Sequence, residues 1–159
     1  MALKIIMDKL RTELTSLESE LRIALPREID TARKHGDLKE NAEYHAAKAR
    51  QSFVQARIEQ LQERIGELGR IDLNRLPTDR VGLFSTVKLM DLRSEDEVVY
   101  TLVTNEEADF KKGLISLGSP LGTGLVGKSI GDEVKIDTPG GRREFEILEI
   151  TTLHQKNQS

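Results

Sequence analysis

The sequence contains neither cysteine nor tryptophan. Without cysteine there are no disulfides, no thiol nucleophile and no cysteine-based zinc site, and a reducing compartment fits. Only six aromatic residues occur: Tyr44, Phe53, Phe84, Tyr100, Phe110 and Phe145. So few rings speak against a base-stacking surface or a large aromatic ligand pocket. No apolar run approaches the ~20 residues of a membrane-spanning helix. The opening MALKIIMDKLRTEL has no signal-peptide hydrophobic stretch, so a cytoplasmic protein with no membrane partner is expected. A large net charge is also missing. The formal charge is −3, which argues against a bulk nucleic-acid binder held by non-specific electrostatics.

What is present falls into two unlike halves. Residues 1–75 hold three glycines and one proline, and residues 76–159 hold nine and three. The first part reads as helical, the second as strands and turns. The expected class is α+β. An antiparallel two-helix coiled coil over 1–75 is followed by a small, mostly antiparallel β domain with a short helix over 80–155. The segment 72–79 reads as a linker, and the tail Gln155–Ser159 as frayed.

Val54, Ile58, Leu61, Ile65 and Leu68 follow 4-3-4-3 spacing, which is a heptad seam. Leu10, Leu14, Leu17 and Leu21 share that spacing. Folded back on each other, Leu10 meets Leu68, Leu14 meets Ile65, Leu17 meets Leu61 and Leu21 meets Ile58. This register puts the fold-back point near Lys39. Gly36 can end helix one in a positive-φ conformation. Asp37 can cap helix two, with Glu40 completing a capping box. The tip is therefore expected at 36–41. Pro26 interrupts helix one and can kink it.

Strands are expected at Leu83–Met90, Val98–Val103, Asp132–Thr138 and Glu144–Thr151. The turn Thr138-Pro139-Gly140-Gly141 should join the last two as a hairpin. A short helix over Pro120–Lys128 has Ser119 as its cap. The glycines at 113, 118, 122, 124 and 127 do not make a phosphate loop, because GxxxxGK[ST] is absent.

Asp37 and Glu40, with Glu43 nearby, stand on a convex tip without a cleft. Carboxylates three residues apart at a helix start point to one side. They can be caps only. They can also supply one or two ligands to a hard divalent cation whose remaining ligands are water and phosphate oxygens. His35 and His45 flank the tip with no second histidine or cysteine at ligand spacing, and read as surface or packing residues.

The tip segment Gly36–Lys48, GDLKENAEYHAAK, resembles the signature of the bacterial Gre-type transcript cleavage factors, the GreA type in particular. The resemblance continues through Glu107–Phe110, Leu114–Ser116, Ser119–Leu121, Gly124–Lys128, Thr138–Gly141 and Glu144–Glu146. It implies an FKBP-like second domain that docks on RNA polymerase through the region of Ser119 and Pro120. It implies a coiled coil that enters the polymerase secondary channel. There the two acidic residues, falling on Asp37 and Glu40, help hold the second Mg²⁺ of the polymerase and orient the attacking water. The 3′ end of backtracked nascent RNA is then cleaved. The factor is an accessory protein and not itself an enzyme. No cofactor is expected in the free protein, and a monomer is expected. The family's RNA-contacting basic spot falls near Arg33 and Lys48.

Charge along the rod adds two candidates. Arg50, Arg57 and Arg64 recur every seven residues. In the derived register Arg64 faces Glu13 and Arg57 faces Glu20, as ordinary exposed pairs. Arg50 would face Arg27, a like-charge opposition with no structural benefit. Three other readings compete with cleavage: a non-cleaving channel regulator, a prolyl isomerase and a coiled-coil chaperone. The intact acidic pair opposes the first. Scarce aromatics oppose the second, with Phe110 and Phe145 expected in the core.

Overall fold

The computed structural model describes residues 2–36 and 41–157. The chain divides into two units, Met1–Ile71 and Asp72–Ser159. The first is helical and the second is a sheet with short helices, so the class is α+β as expected.

The first unit is a helical hairpin. One arm comprises α1 (Ala2–Ser19), a π-helical turn (Glu20–Ala24) and α2 (Leu25–Arg33). The other arm is α3 (Ala42–Gly69). The seam of α3 buries Val54, Ile58, Leu61 and Leu68, and extends one heptad toward the tip to Ala47. On the first arm Leu17 is buried, with Leu10, Leu14 and Leu21 packed half-buried against the same cluster. Past Leu21 the buried positions are Leu25, Ile29 and Ala32. A strict heptad would have continued at 24, 28 and 31, so the seam steps by one residue. The π turn absorbs that residue. The Leu25 N–H bonds the Glu20 carbonyl five positions back, where an α turn would reach only four. Pro26 does not end the arm. It directly follows the π turn, the backbone at Ala24 and Leu25 stays right-handed helical, and the helix runs on.

The ion pairs lie one heptad from their expected places. Glu13 accepts two bonds from Arg57, at 2.9 and 3.0 Å. Glu20 accepts two from Arg50, at 2.7 and 2.9 Å. Arg64 bonds Glu67 on its own helix at 2.9 Å. The expected Arg57–Glu20 pairing is therefore corrected, and Arg50 does have an acidic partner. The physical reason is degeneracy. Acids at 13 and 20 and arginines at 50, 57 and 64 all repeat every seven residues. Sliding the ladder by one heptad keeps two complementary pairs and the same apolar seam.

The second unit holds β1 (Thr86–Asp91), β2 (Glu97–Val103), β3 (Leu114–Ser116), α4 (Pro120–Leu125), β4 (Glu133–Thr138), β5 (Gly141–Thr151) and α5 (Leu153–Asn157). The strand order is β3-β2-β1-β5-β4. All neighbours are antiparallel except β2 and β3, so the sheet is mixed. The hairpin at Thr138–Gly141 forms as expected. Period-2 alternation places Val87 and Leu89, Tyr100 and Leu102, Val134 and Ile136, and Phe145 and Ile147 in one core. Against β1, the β5 register skips from Ile147 to Glu149. That bulge changes the parity, and Ile150 becomes the next residue to pack on the core.

Several elements depart from expectation here: β3 is not among the expected strands, and α4 ends at Leu125 rather than Lys128. β1 starts three residues late, because Gly82–Ser85 closes a turn and Phe84 takes φ 65°. The tail is a helix as far as Asn157. Thr152 and Gln155 make reciprocal cap bonds: the Thr152 N–H donates to Gln155 Oε1 at 2.8 Å, and the Gln155 N–H to Thr152 Oγ1 at 3.4 Å. Lys156 Nζ then donates to the Phe84 carbonyl at 2.8 Å, and His154 meets the Leu76 carbonyl at 3.0 Å.

α4 closes one end of the core with Leu125, fully buried, and Leu121. It lies very close to the backbone after β3. A Cβ on Gly122 would stand 2.1 Å from the Ser116 carbonyl oxygen. Only glycine permits that approach.

Candidate functional site

The tip of the hairpin lies between Arg33 and Ala42. α2 ends in a turn at Lys34 and His35, and Gly36 follows with φ 134°, the positive-φ stop expected of it. Asp37 and Glu40, together with Lys39, lie outside the described residues. The cap of α3 is within them and is not the expected one. The helix starts at Ala42, and its cap is Asn41, whose Oδ1 accepts the Tyr44 N–H at 3.0 Å. Asn41 Nδ2 also donates to the Ala32 carbonyl on the other arm. The N-cap position of α3 is therefore Asn41 and not Asp37. Sequence reasoning included Asn41 in the tip signature but gave it no role. The available signal was an Asn immediately before the helical run.

Around the tip Arg33, Lys48 and Arg50 each meet a neighbouring side chain. The Arg33 guanidinium stands 6.0 Å from the Tyr44 ring centroid, and Tyr44 meets His45 edge-on at 5.6 Å. Lys48 Nζ donates to Gln51 Oε1 at 3.0 Å. Arg27 and Arg50 line one open depression of about 600 Å³, floored by Ala32, Ala46 and Ala47. Glu28 and Glu43 line it too. Arg50 also stacks 5.3 Å from the centroid of Phe53, an exposed ring. The four basic candidates thus lie along one stretch of rod, but carboxylates are interleaved with them. The expected unrelieved Arg27–Arg50 opposition is corrected by Glu20, which bonds Arg50 from the other arm. The bond from Arg50 holds the Glu20 carboxyl below its ordinary value, and that from Arg57 does the same for Glu13. Among the described residues no three His, Asp or Glu side chains come together as a metal site.

In the second unit, Ser119 and Pro120 begin α4. Ser119 Oγ accepts the Gly122 N–H at 3.0 Å and donates to the Ser116 carbonyl at 2.7 Å. Its hydroxyl is thus committed to the cap. Pro120 lines an apolar depression of about 460 Å³ with Phe110, Leu121, Pro139, Arg143 and Phe145. Phe145 is buried, as expected. Phe110 is not a core residue: it is 65% exposed, tilted against Tyr100 at 5.8 Å between centroids. Its place in a short 3₁₀ turn over Phe110–Lys112, outside the sheet, is the reason. Arg143 stacks 4.8 Å from the Phe145 ring centroid and bonds Asp91 at 3.0 Å.

Comparison with known proteins covers both units. The family model described as "Transcription elongation factor, N-terminal" matches residues 6–68. The model described as "Transcription elongation factor, GreA/GreB, C-term" matches residues 76–152. Transcription elongation factor GreA of Helicobacter hepaticus is 49% identical over 143 residues, 90% of this chain and 88% of that protein. Its counterpart in Haemophilus influenzae is 44% identical over 147 residues, 92% and 93% of the two chains. Among solved structures, GreA factor homolog 1 (Gfh1) of Thermus thermophilus aligns at 27% identity and TM-score 0.42, over 91% of this chain and 93% of that one. With both halves matched and relatives at such identity over nine-tenths of its length, the chain belongs to the GreA/GreB family of transcription elongation factors and is of the GreA type.

Proposed function

We propose that this chain stimulates RNA polymerase to cleave the 3′ end of backtracked nascent RNA, with Asp37 and Glu40 as the residues that act. The observation that carries the reading is the tip. A two-helix hairpin ends in Gly36-Asp37-Leu38-Lys39-Glu40-Asn41, and the helix that follows has Asn41 at its N-cap. With Asn41 there, α3 needs no acidic residue at that position. An accessory factor needs no substrate cleft of its own, since the reacting RNA belongs to the partner.

In this reading the hairpin enters the secondary channel of the polymerase. Two hard carboxylate donors suit a divalent ion that keeps water and phosphate oxygens as its other ligands. When bound there, Mg²⁺ supplies Lewis-acid stabilisation and a more acidic water. Asp37 and Glu40 add negative charge at that place and can accept the proton side of a water hydrogen bond. Arg33, Lys48, Arg27 and Arg50 run beside the RNA path as a weak basic flank. The second unit docks on the polymerase through Pro120 and the apolar depression beside it, with Ser119 fixing the start of α4.

The test uses stalled, backtracked polymerase complexes with labelled RNA. Asp37→Asn and Glu40→Gln remove charge with little change of shape. Each is expected to lower the maximal cleavage rate at least a hundredfold while polymerase binding persists. Equal cleavage by all three proteins would refute the assignment. The competing non-cleaving regulator predicts no stimulation by the unsubstituted protein.

A further inference from the structure

Asn41 makes three hydrogen bonds to described residues at the end of the hairpin. Its backbone carbonyl accepts the His45 N–H at 3.1 Å, which is the first helical bond of α3. Its Oδ1 accepts the Tyr44 N–H. Its Nδ2 donates to the carbonyl of Ala32, nine residues back on the other arm. That carbonyl belongs to the last turn of α2, which has no helical donor of its own. It also accepts the His35 N–H at 3.1 Å, so both of its lone pairs are used, and Ala32 itself is 3% exposed.

Capping alone does not select asparagine. Aspartate and serine are equally good at this position. The bond to Ala32 does select it. A side-chain amide presents an acceptor and a donor about one planar group. Aspartate has no donor. The serine hydroxyl sits one atom nearer the backbone and falls short of the other arm. The network also settles the amide orientation, since reversing it would set N–H against N–H and oxygen against oxygen.

We propose that Asn41 is a positioning residue for transcript cleavage. Its amide clamps the start of α3 to the end of α2, and so fixes the distance between the two anchors of the segment that carries Asp37 and Glu40. This rests on the cleavage reading above. The clamp acts on the geometry of the tip and not on docking. Its loss lowers the maximal rate and leaves the concentration of factor needed for half-maximal effect unchanged.

Two variants of the full chain separate clamp from cap. Asn41→Ser keeps a capping oxygen and loses the cross-arm donor. Asn41→Asp keeps both size and cap and also loses the donor. Both are expected to unfold within a few degrees of the unsubstituted protein. Both are expected to cleave backtracked RNA about tenfold more slowly at saturating factor, the size one ordinary hydrogen bond can carry. Their half-saturating concentrations should match. Equal losses identify the shared missing donor, because only one variant adds charge. A wild-type maximal rate in Asn41→Ser overturns the proposal. So does an unchanged maximal rate with weaker half-saturation, which marks Asn41 as merely structural.

A second measurement is independent of polymerase. In ¹⁵N spectra of the unsubstituted chain, the Asn41 side-chain amide protons should exchange with solvent at least tenfold more slowly than those of exposed Asn74. Equal exchange overturns the clamp itself. If exchange is slow but the unsubstituted chain stimulates no cleavage, the cleavage reading has failed and the positioning role fails with it. If Asp37→Asn abolishes cleavage and Asn41→Ser does not slow it, the positioning role alone has failed.

Discussion

Replacing Gly122 by alanine sets two rules against each other. Alanine is the better helix former by about 1 kcal/mol, so propensity alone predicts a stabilised α4. The packing predicts the opposite. The new Cβ would stand 2.1 Å from the Ser116 carbonyl oxygen, 3.0 Å from its carbonyl carbon and 3.1 Å from Leu117 Cα. All three are backbone atoms, so no side chain can swing aside. Relief requires α4 to move by roughly 1 Å, judged against an ordinary carbon-to-oxygen contact. Leu125 is fully buried on that helix, so a shift of the helix disturbs the core. Overpacking of this kind costs about 1–3 kcal/mol. Displacing Gly122 N–H from Ser119 Oγ adds about 1 kcal/mol through the lost cap. After the propensity gain is set against these, a net loss of about 2 kcal/mol remains. In a domain of this size that lowers the unfolding midpoint by about 10 °C. Gly66→Ala in α3 is the internal control. There the nearest atom to the new Cβ is a mobile Arg70 nitrogen at 3.8 Å, and the propensity gain should appear in full. Calorimetry on the full chain decides the matter. If Gly122→Ala raises the midpoint as Gly66→Ala does, the close approach of α4 to β3 is wrong.

Leu61 is 1% exposed in the middle of the α3 seam. Leu61→Ala is expected to destabilise the hairpin by about 2–5 kcal/mol, read as a lower midpoint in helical circular dichroism. The ion-pair ladder should make the hairpin acid-sensitive. Hydrogen bonds from Arg57 and Arg50 hold the Glu13 and Glu20 carboxyls below their ordinary 4.5. The unfolded chain therefore takes up their protons first as pH falls. Stability from the pairs is complete above about pH 5 and is lost below it as the folded carboxyls protonate. A Glu13→Gln/Glu20→Gln variant should show a shallower fall in helical melting midpoint between pH 5 and pH 3, at low salt. A fall of equal depth in both proteins would refute the assignment.

Elements with long periodic signals were legible in the sequence. Val54 to Leu68 named their own seam, and Thr138–Gly141 named its hairpin. What escaped were features carried by few residues. β3 has three residues, too short for alternation to show, and it pairs in parallel with β2 where the other strands suggested an antiparallel sheet. α5 has five residues, yet Thr152 and Gln155 stand at capping-box spacing, a signal that was there to be used. Phe110 is expected in the core as part of an element that needs apolar packing, and sequence alone does not say that its turn lies off the sheet. At the tip, the sequence pointed to Asp37 as the cap, and Asn41 stands at the N-cap instead. Its bond to Ala32 is a contact across the arms that local sequence does not contain.

The heptad that made the hairpin readable is also why its charge ladder was misplaced. A seven-residue repeat looks the same after a shift of seven, so apolar seam and charge pattern together leave several registers of similar quality. Something non-periodic must choose. The described residues offer two such features, one in the tip half of the first arm and one joining the two arms at the tip. One is the extra residue in the π turn Glu20–Ala24, which changes the phase of the first arm only. The other is the Asn41–Ala32 bond, which can form in one register alone. A one-heptad slide would move Ala32 by about 10 Å along the axis and break that bond outright, whereas the Glu–Arg ladder could re-form. In this hairpin the ion pairs therefore follow the register, and the closure at the tip sets it.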